Sequence, residues 1–148
     1  MATLDLYLSF SGNCEEVFNF YRSVFGGDFS VLNRYSDMPG ADDIPPDSDH
    51  ALANGDRDKI MHVRLPIGQG TNLMGSDRPS GAETAVMGNV FSISIAPDSE
   101  EEAVRIFDAL SAGGEVTMPL EKTFWNALFG TFTDKFGVQW MVNYEYEQ

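Results

Sequence analysis

Alternating apolar residues predict a strand near the start of the chain. Leu4, Leu6 and Leu8 are separated by single residues in a segment that ends at Phe10. This is the pattern of a half-buried strand whose leucines share one face. A helix is expected next, because apolar residues recur at helical spacing. They are Cys14, Val17, Phe18, Tyr21 and Phe25.

The ends of this helix are also indicated by the sequence. Asn13 and Glu16 have the spacing of a capping box, in which the Asn13 side chain would accept a hydrogen bond from the backbone of the first turn. Gly26 and Gly27 follow the apolar stripe, and glycine commonly ends a helix. A second strand is predicted from about residue 28 to residue 35.

The same pattern returns 87 residues later. Ser99 and Glu102 form a second candidate capping box. The aligned pairs are Leu6 with Ile93, Leu8 with Ile95, Val17 with Val104, Phe20 with Phe107, and Gly26 with Gly113. A strand, a helix and a glycine pair that recur in one register indicate an internal duplication.

More strand-like sequence follows each of these units. In the first half it covers residues 59–65 and 71–76, and in the second half residues 128–133 and 138–144. We therefore predict an α+β fold of two βαβββ repeats in a single domain of 148 residues. Repeat one covers about 1–76, a linker rich in Gly, Ser and Pro covers about 77–88, and repeat two covers about 89–148. Residues 36–58 are expected to form a long loop that is either functional or partly disordered.

Composition and charge indicate which classes of partner and which cellular compartment to expect. Nine Lys and Arg against 23 Asp and Glu give a formal net charge of −14, which disfavours nucleic acid as a partner. No signal peptide and no membrane span are expected, because no apolar run approaches the length that either requires. Cys14 is the one cysteine, so no intrachain disulfide can form, and we expect a cytoplasmic protein.

Several segments carry a resemblance to a known family. They are residues 7–16 (YLSFSGNCEE), 20–27 (FYRSVFGG), 118–125 (MPLEKTFW) and 134–143 (DKFGVQWMVN). Together with the duplicated βαβββ unit, they resemble the PhnB-like branch of the vicinal-oxygen-chelate (glyoxalase/bleomycin-resistance) superfamily. The resemblance covers essentially the whole chain. It implies two curled four-stranded sheets around a cavity, helices on the outer faces, and often a homodimer.

The resemblance also raises the question of a metal ion. Enzymes of this superfamily usually hold a divalent cation with one residue from the first and one from the last strand of each repeat. Strand alternation places Tyr7, Met74, Val90 and Met141 at these positions, and none is a ligand that such cations prefer. A site without metal or other cofactor is therefore predicted. The alternative is a metal held in the long loop by Asp42, Asp43, Asp47, Asp49 and His50.

The residues predicted to line the cavity suit a small organic ligand, because they combine apolar surface with a few hydrogen-bonding groups. These candidates are Tyr7, Asn72, Met74, Phe124, Trp125, Gln139, Met141 and Asn143. The alternative is that they fill a closed, unliganded barrel. Trp140 is expected in the core beneath the helix, and Cys14 is expected to be a buried apolar residue rather than a nucleophile.

Two residues are candidates for general acid–base chemistry. His62 is the one histidine in a predicted strand, where it shares a face with Ile60 and Arg64 and could act as a base. Its alternative role is that of a hydrogen-bonded structural histidine. Glu121 belongs to the branch motif, and its alternative is a surface carboxylate at a strand edge.

Three functions remain open from the sequence. The first is a small-molecule-binding protein without the superfamily metal. The second is a metal-dependent lyase, isomerase or dioxygenase, and the third is a sequestering or accessory dimer. Relatives in this branch often carry a quinone-methyltransferase label. We do not adopt it, because Gly68–Gly70 and Gly26–Gly27 fall in a predicted hairpin turn and at a helix end, not in the nucleotide-binding turn of a doubly wound sheet.

Overall fold

The computed structural model describes residues 2–37, 54–68 and 70–146. The chain divides into two compact units, Met1–Ala85 and Val86–Gln148. Each unit is a four-stranded sheet with one helix. The long loop predicted at 36–58 falls largely outside the described residues. That both repeats belong to one domain stays a prediction.

The first unit follows the order strand, helix, strand, strand, strand. Its elements are β1 (Leu6–Phe10), α1 (Cys14–Phe25), β2 (Val31–Arg34), β3 (Ile60–Ile67) and β4 (Thr71–Asp77). In the sheet they are arranged β1-β4-β3-β2. β1 runs parallel to β4, and the other neighbours are antiparallel.

The second unit repeats this topology. Its elements are β5 (Ile93–Ile95), α2 (Glu100–Ser111), β6 (Glu115–Lys122), β7 (Ala127–Thr133) and β8 (Gln139–Glu145). They are arranged β5-β8-β7-β6, with β5 parallel to β8. The predicted α+β class and the βαβββ units are confirmed. Neither described helix is long and apolar enough to cross a membrane.

Each helix packs on one face of its own sheet and forms a small core. Two glycines allow close packing. A Cβ on Gly75 would stand 2.7 Å from Cε2 of Phe18 in α1, and a Cβ on Gly130 would stand 2.7 Å from Cε2 of Phe107 in α2. Both positions lie inside strands, where glycine often marks the close approach of another group.

The predicted cap of the first helix is wrong. Asn13 makes no side-chain hydrogen bond to the helix. Instead, Oδ1 of Asp77, the last residue of β4, accepts from the backbone N–H of Gly12 at 3.0 Å and of Cys14 at 2.9 Å. Oδ2 of Asp77 accepts from the Ile60 N–H at 2.9 Å. Asp77 was predicted to begin the linker, but it is buried and joins a helix to two strands.

In the second helix, the Ser99 half of the predicted capping box is confirmed, whereas the Glu102 carboxylate bonds to Arg105. Ser99 accepts from the Glu102 N–H at 3.1 Å, with three acidic residues in the first turn. The helical alignment of the repeats is shifted by one residue, however. Val104, which was aligned with the buried Val17, is exposed. The buried stripe is instead Ala103, Ile106, Phe107 and Leu110, because α2 begins one residue earlier relative to its strand than α1 does.

Candidate functional site

In the first sheet, the face that points away from α1 carries an ordered row of side chains. Tyr7 pairs with Met74, Met74 with Arg64, and Arg64 with Val31. Because directly paired residues point to the same side of a sheet, these four side chains form one row. With Asn72 and His62, which lie two residues from Met74 and Arg64 on their strands, they define what we call the first open face.

An aromatic pair lies on the first open face. The rings of Tyr7 and His62 are stacked, with centroids 5.9 Å apart and an interplanar angle of 17°. Tyr7 is half exposed and His62 is partly exposed. Among the described residues, the contact found for the His62 ring is its stack on Tyr7. Whether His62 acts as a base or as a structural histidine stays a prediction.

A bulge separates His62 from Ile60. Asn33 pairs with His62 and Arg34 with Ile60, so that Met61 is an extra residue in β3. Such an insertion interrupts the alternation of side chains. Ile60 is fully buried, and the prediction that it shares a face with His62 is wrong. Arg64, on the regular side of the bulge, does share that face.

Arg64 is the feature of this face that the sequence reasoning did not single out. Its Nε atom is buried and has no hydrogen-bond partner. Leaving a buried polar group without a partner costs about 1–3 kcal/mol, and more if it is charged. The strand position of Arg64 was visible in the sequence, but the lack of a partner was not, because partners come from other elements.

Asn72, a predicted ligand-binding residue, is already engaged. Its backbone N–H donates to Asp5 Oδ1 at 2.9 Å, and its side-chain Nδ2 lies 3.4 Å from both Asp5 oxygens. Asp5 thereby extends the pairing of β1 with β4. This contact supports a structural role for Asn72 more than a ligand contact.

The second sheet has a comparable face on the side away from α2, which we call the second open face. Ser94 pairs with Met141, and Met141 with Thr131. Phe129 pairs with both Asn143 and Glu121. Thr131 and Thr117 share a hydrogen bond of 2.6 Å between their hydroxyls.

Asn143 and Gln139, both predicted to bind ligand, differ in this setting. Oδ1 of Asn143 is buried without a hydrogen-bond partner. Nε2 of Gln139 instead donates to the backbone carbonyls of Phe91 at 2.9 Å and Gly88 at 3.3 Å. Gln139 therefore holds the segment before β5 in place, whereas Oδ1 of Asn143 is covered and not directly accessible on the second open face.

The aromatic residues of the branch motif lie in a hairpin turn. Phe124 and Trp125 stand between β6 and β7, where the Asn126 N–H donates to Thr123 O at 3.3 Å and Asn126 has a positive φ of 63°. The Trp125 ring packs edge-on against Phe129, with centroids 6.0 Å apart. Phe124 is 97% exposed, so Trp125 is the better placed of the two to contact a ligand on the second open face.

The two acid–base candidates lie in different units. His62 is in β3 of the first unit, and Glu121 is an exposed residue of β6 in the second. The buried thiol of Cys14 is not a candidate, because burial and the nearby carboxylates raise its pKa far above the ordinary value of 9.0.

The residues at the superfamily ligand positions can be compared within each unit. Val90 was assigned to one of them, but β5 begins only at Ile93 and Val90 is 93% exposed. Ser94 stands opposite Met141 as Tyr7 stands opposite Met74. Two thioethers, a phenol and a hydroxyl are poor ligands for a hard divalent cation.

No metal-binding cluster is found in the described part of the chain. There, no group of three or more His, Cys, Asp or Glu is arranged to hold a metal ion. The alternative loop site, with His50 and four aspartates between 42 and 49, lies outside the described residues.

Comparisons with known proteins agree with this architecture. Residues 3–142 match the family model of the Glyoxalase/Bleomycin resistance protein/Dioxygenase superfamily. The chain is 33% identical to Protein YjdN of Escherichia coli over 141 residues, covering 95% of this chain and 93% of that protein.

Two solved structures are similar over nearly their whole length. Protein PA1353 from Pseudomonas aeruginosa is 41% identical, with a TM-score of 0.80, and the match covers 99% of this chain and 100% of that one. A protein from Bacillus cereus described as a putative 3-demethylubiquinone-9 3-methyltransferase, PhnB protein, is 25% identical, with a TM-score of 0.70 and coverage of 97% and 99%. The predicted PhnB-like resemblance is confirmed.

Proposed function

Because this chain belongs to the glyoxalase/bleomycin resistance/dioxygenase superfamily, we propose that it binds a small organic molecule on its open sheet faces without a divalent metal ion. One observation carries the proposal. Each open face places partly exposed aromatic rings beside a central methionine. Tyr7 and His62 share a sheet face with Met74, and Phe129 shares one with Met141, with the Trp125 ring of the adjacent turn packed against Phe129.

Such surfaces suit a flat organic molecule. Rings stack on or pack edge-to-face with other rings, and the flexible thioether of methionine adapts to irregular shapes. A ligand site combines this apolar surface with a few polar groups that orient the ligand. The Arg64 guanidinium on the first open face and the Asn143 amide on the second are groups of that kind. Nε of the one and Oδ1 of the other are buried without a hydrogen-bond partner among the described residues.

Binding without a metal is supported by the chemistry of the paired strand positions. Tyr7 and Met74 in the first unit, and Ser94 and Met141 in the second, occupy the places from which superfamily enzymes bind their cation. Imidazole and carboxylate groups are the ligands that these cations require, and none stands at these four positions.

A methyltransferase activity is not part of the proposal. Binding of a nucleotide-like cofactor normally uses the glycine-rich turn of an open, doubly wound parallel sheet. Here, each sheet is mixed and covered by one helix. Gly68 and Gly70 lie in the turn between β3 and β4.

The dimer and the compartment are also proposed. The resemblance to the PhnB-like branch supports a homodimer, which sedimentation equilibrium at micromolar concentration would detect. A cytoplasmic location is supported by the single, buried cysteine. These two properties do not affect the binding proposal.

The binding proposal is tested by thermal scanning against a library of neutral and charged metabolites, after dialysis against a chelator. We expect stabilising compounds, and we expect Tyr7→Ala or Trp125→Ala to weaken at least one of them. Val104→Ala, an exposed apolar residue on α2, is the matched control and should have no effect.

Two results would count against the proposal. If no compound stabilises the protein, the open faces are closed packing surfaces and not a binding site. If elemental analysis of the freshly purified protein finds one tightly bound transition metal per chain, whose removal abolishes ligand binding, the metal-dependent enzyme is the correct alternative. Turnover of a stabilising compound would distinguish an enzyme from a sequestering protein.

A further inference from the structure

Arg64 differs from every other cation of the protein. The chain has nine Lys and Arg. Eight of them have a hydrogen bond, an ion pair or an aromatic ring as partner among the contacts of the described residues. These are Arg22, Arg34, Arg57, Lys59, Arg78, Arg105, Lys122 and Lys135. Arg64 has none, and its Nε is buried.

This isolation is notable in a chain with a net charge of −14. Carboxylates outnumber cations by 23 to nine, yet none of those in the described residues pairs with Arg64. Asp5 lies just before β1 and on the same face of the sheet. Its carboxylate accepts instead from the backbone N–H and the side-chain amide of Asn72. Among the described residues, therefore, no carboxylate pairs with the Arg64 side chain on the first open face.

The surroundings of Arg64 are apolar and aromatic. Met74 stands beside it on the neighbouring strand, and Tyr7 stands one strand further on. Since neighbouring strands lie about 4.8 Å apart, the Tyr7 backbone is about 10 Å from that of Arg64. His62 lies two residues along β3, with its ring stacked on Tyr7.

We propose that the first open face binds a planar carboxylic acid, with its carboxylate on the Arg64 guanidinium and its flat body against Met74, Tyr7 and His62. This proposal rests on the proposed function and names the class of ligand. A guanidinium presents parallel N–H donors that match the two oxygens of a carboxylate. The spacing between Arg64 and the ring pair, bridged by Met74, fits one aromatic or conjugated ring attached to that carboxylate.

The experiment uses the whole chain and two probes of equal shape. Benzoate carries the carboxylate, and benzamide replaces it with a neutral amide. Binding is followed in nitrogen–proton NMR spectra through the backbone amide resonances of β3 and β4, which every variant keeps. In the unaltered protein it is also followed through the Arg64 Nε–Hε resonance, assigned by its loss in Arg64→Met. We expect benzoate at millimolar concentration to shift this resonance in a saturable manner, and benzamide to shift it much less.

Variants separate the charge from the surface. Arg64→Met should weaken benzoate binding by about tenfold or more, since it removes a charged hydrogen-bond donor. Arg64→Lys should restore only part of it, because an ammonium cannot form the paired contact. Arg105→Met removes the same charge from an ion pair on α2 and should leave binding unchanged.

The stability of the variant distinguishes the proposal from a structural role. Because the Arg64 side chain has no hydrogen-bond or ion-pair partner among the described residues, Arg64→Met should unfold at a urea concentration no lower than that of the unaltered protein. A large loss of stability would show that Arg64 is needed for folding and would overturn the proposal.

The remaining outcomes are also informative. No saturable shift with benzoate or with the larger 1-naphthoate would refute the carboxylate site. Equal binding of benzoate and benzamide, or benzoate binding that survives Arg64→Met, would refute it too, but would leave the proposed small-molecule function standing. A failure of the metabolite library together with these probes would remove both.

Discussion

The two units build the same strand and helix order but stabilise the start of their helices differently. In the first unit, α1 receives its cap from Asp77, which is 63 residues away from Cys14 in sequence. In the second unit, α2 is capped by Ser99, which lies three residues before Glu102. The backbone donors of a helix N-terminus need acceptors in both cases, and the two repeats supply them from tertiary and local sources.

This difference shows where each unit concentrates its polar contacts. Asp77 links α1, β3 and the end of β4, and Tyr35 Oη donates to the Asp77 backbone carbonyl at 2.7 Å. The second unit places its buried carboxylate in the turn between β7 and β8. There, Asp134 accepts from Trp140 Nε1 at 2.9 Å and from the N–H groups of Phe136 and Val138. The helix of the first unit thus depends on the sheet for its cap, and that of the second does not.

Replacing the two capping residues, Asp77 and Ser99, should give the largest difference in stability between the two units. Asp77→Ala leaves two buried N–H groups, of Cys14 and Ile60, and the part-buried N–H of Gly12 without this acceptor. We expect it to lower the free energy of unfolding by about 3–5 kcal/mol. Ser99→Ala should lower it by about 1 kcal/mol, the usual cost of a lost cap. Urea denaturation followed by circular dichroism measures both. Equal effects would show that the tertiary cap has no special role.

The first residues of the two helices should give an effect of intermediate size on stability. α1 begins with the buried thiol of Cys14, whereas α2 begins with three glutamates. Burial, and then Asp77 and Glu15, raise the thiol pKa in the folded state above its ordinary value of 9.0. Above pH 9 the unfolded chain releases this proton while the folded chain keeps it. The stability due to the thiol is therefore complete below pH 9 and falls as pH rises above it, by up to about 1.4 kcal/mol per pH unit.

This pH dependence is measured as the difference between the unaltered protein and Cys14→Ala in urea titrations from pH 8 to pH 10.5. We expect the two stability curves to converge as pH rises, and the native thiol to resist alkylation until the protein is unfolded. A native thiol that is alkylated at the rate of the unfolded chain would contradict the buried placement.

Replacing the surface ion pairs of the two helices should give the smallest difference in stability between the two units. Arg34 bonds to Glu15 and links β2 to α1, whereas Arg105 bonds to Glu102 within α2. The hydrogen bond from Arg34 lowers the Glu15 pKa, so its contribution is present above the ordinary carboxylate pKa and is lost as pH falls below it. Both pairs are largely exposed, and each should contribute about 0.2–1 kcal/mol.

Glu15→Gln and Glu102→Gln, compared in low and high salt, measure this contribution. We expect the Glu15 effect to be the larger, because it joins two elements, and both to shrink in high salt. A loss above about 2 kcal/mol for either would be inconsistent with an exposed pair.

Local patterns in the sequence determined the secondary structure and the duplication. Alternation predicted the strands, helical spacing predicted both helices, and the local cap at Ser99 was found from residues three positions apart. The candidate ring at Tyr7 and the strand position of His62 followed from the same alternation. These features depend on residues a few positions apart in the chain, and such residues can be identified from the sequence alone.

The tertiary structure decided which groups meet and which are left without partners. Asp77 looked like the start of a linker, yet it caps a helix from the far end of the sheet. Because of the bulge at Met61, the Ile60 side chain lies in the core and not on the face of His62. Because β5 begins later than predicted, Ser94 and not Val90 stands opposite Met141 on the second open face. The isolation of Arg64 is likewise a property of all its spatial neighbours at once. Hydrogen bonding and burial depend on residues far apart in the chain, and no periodicity in the sequence records them.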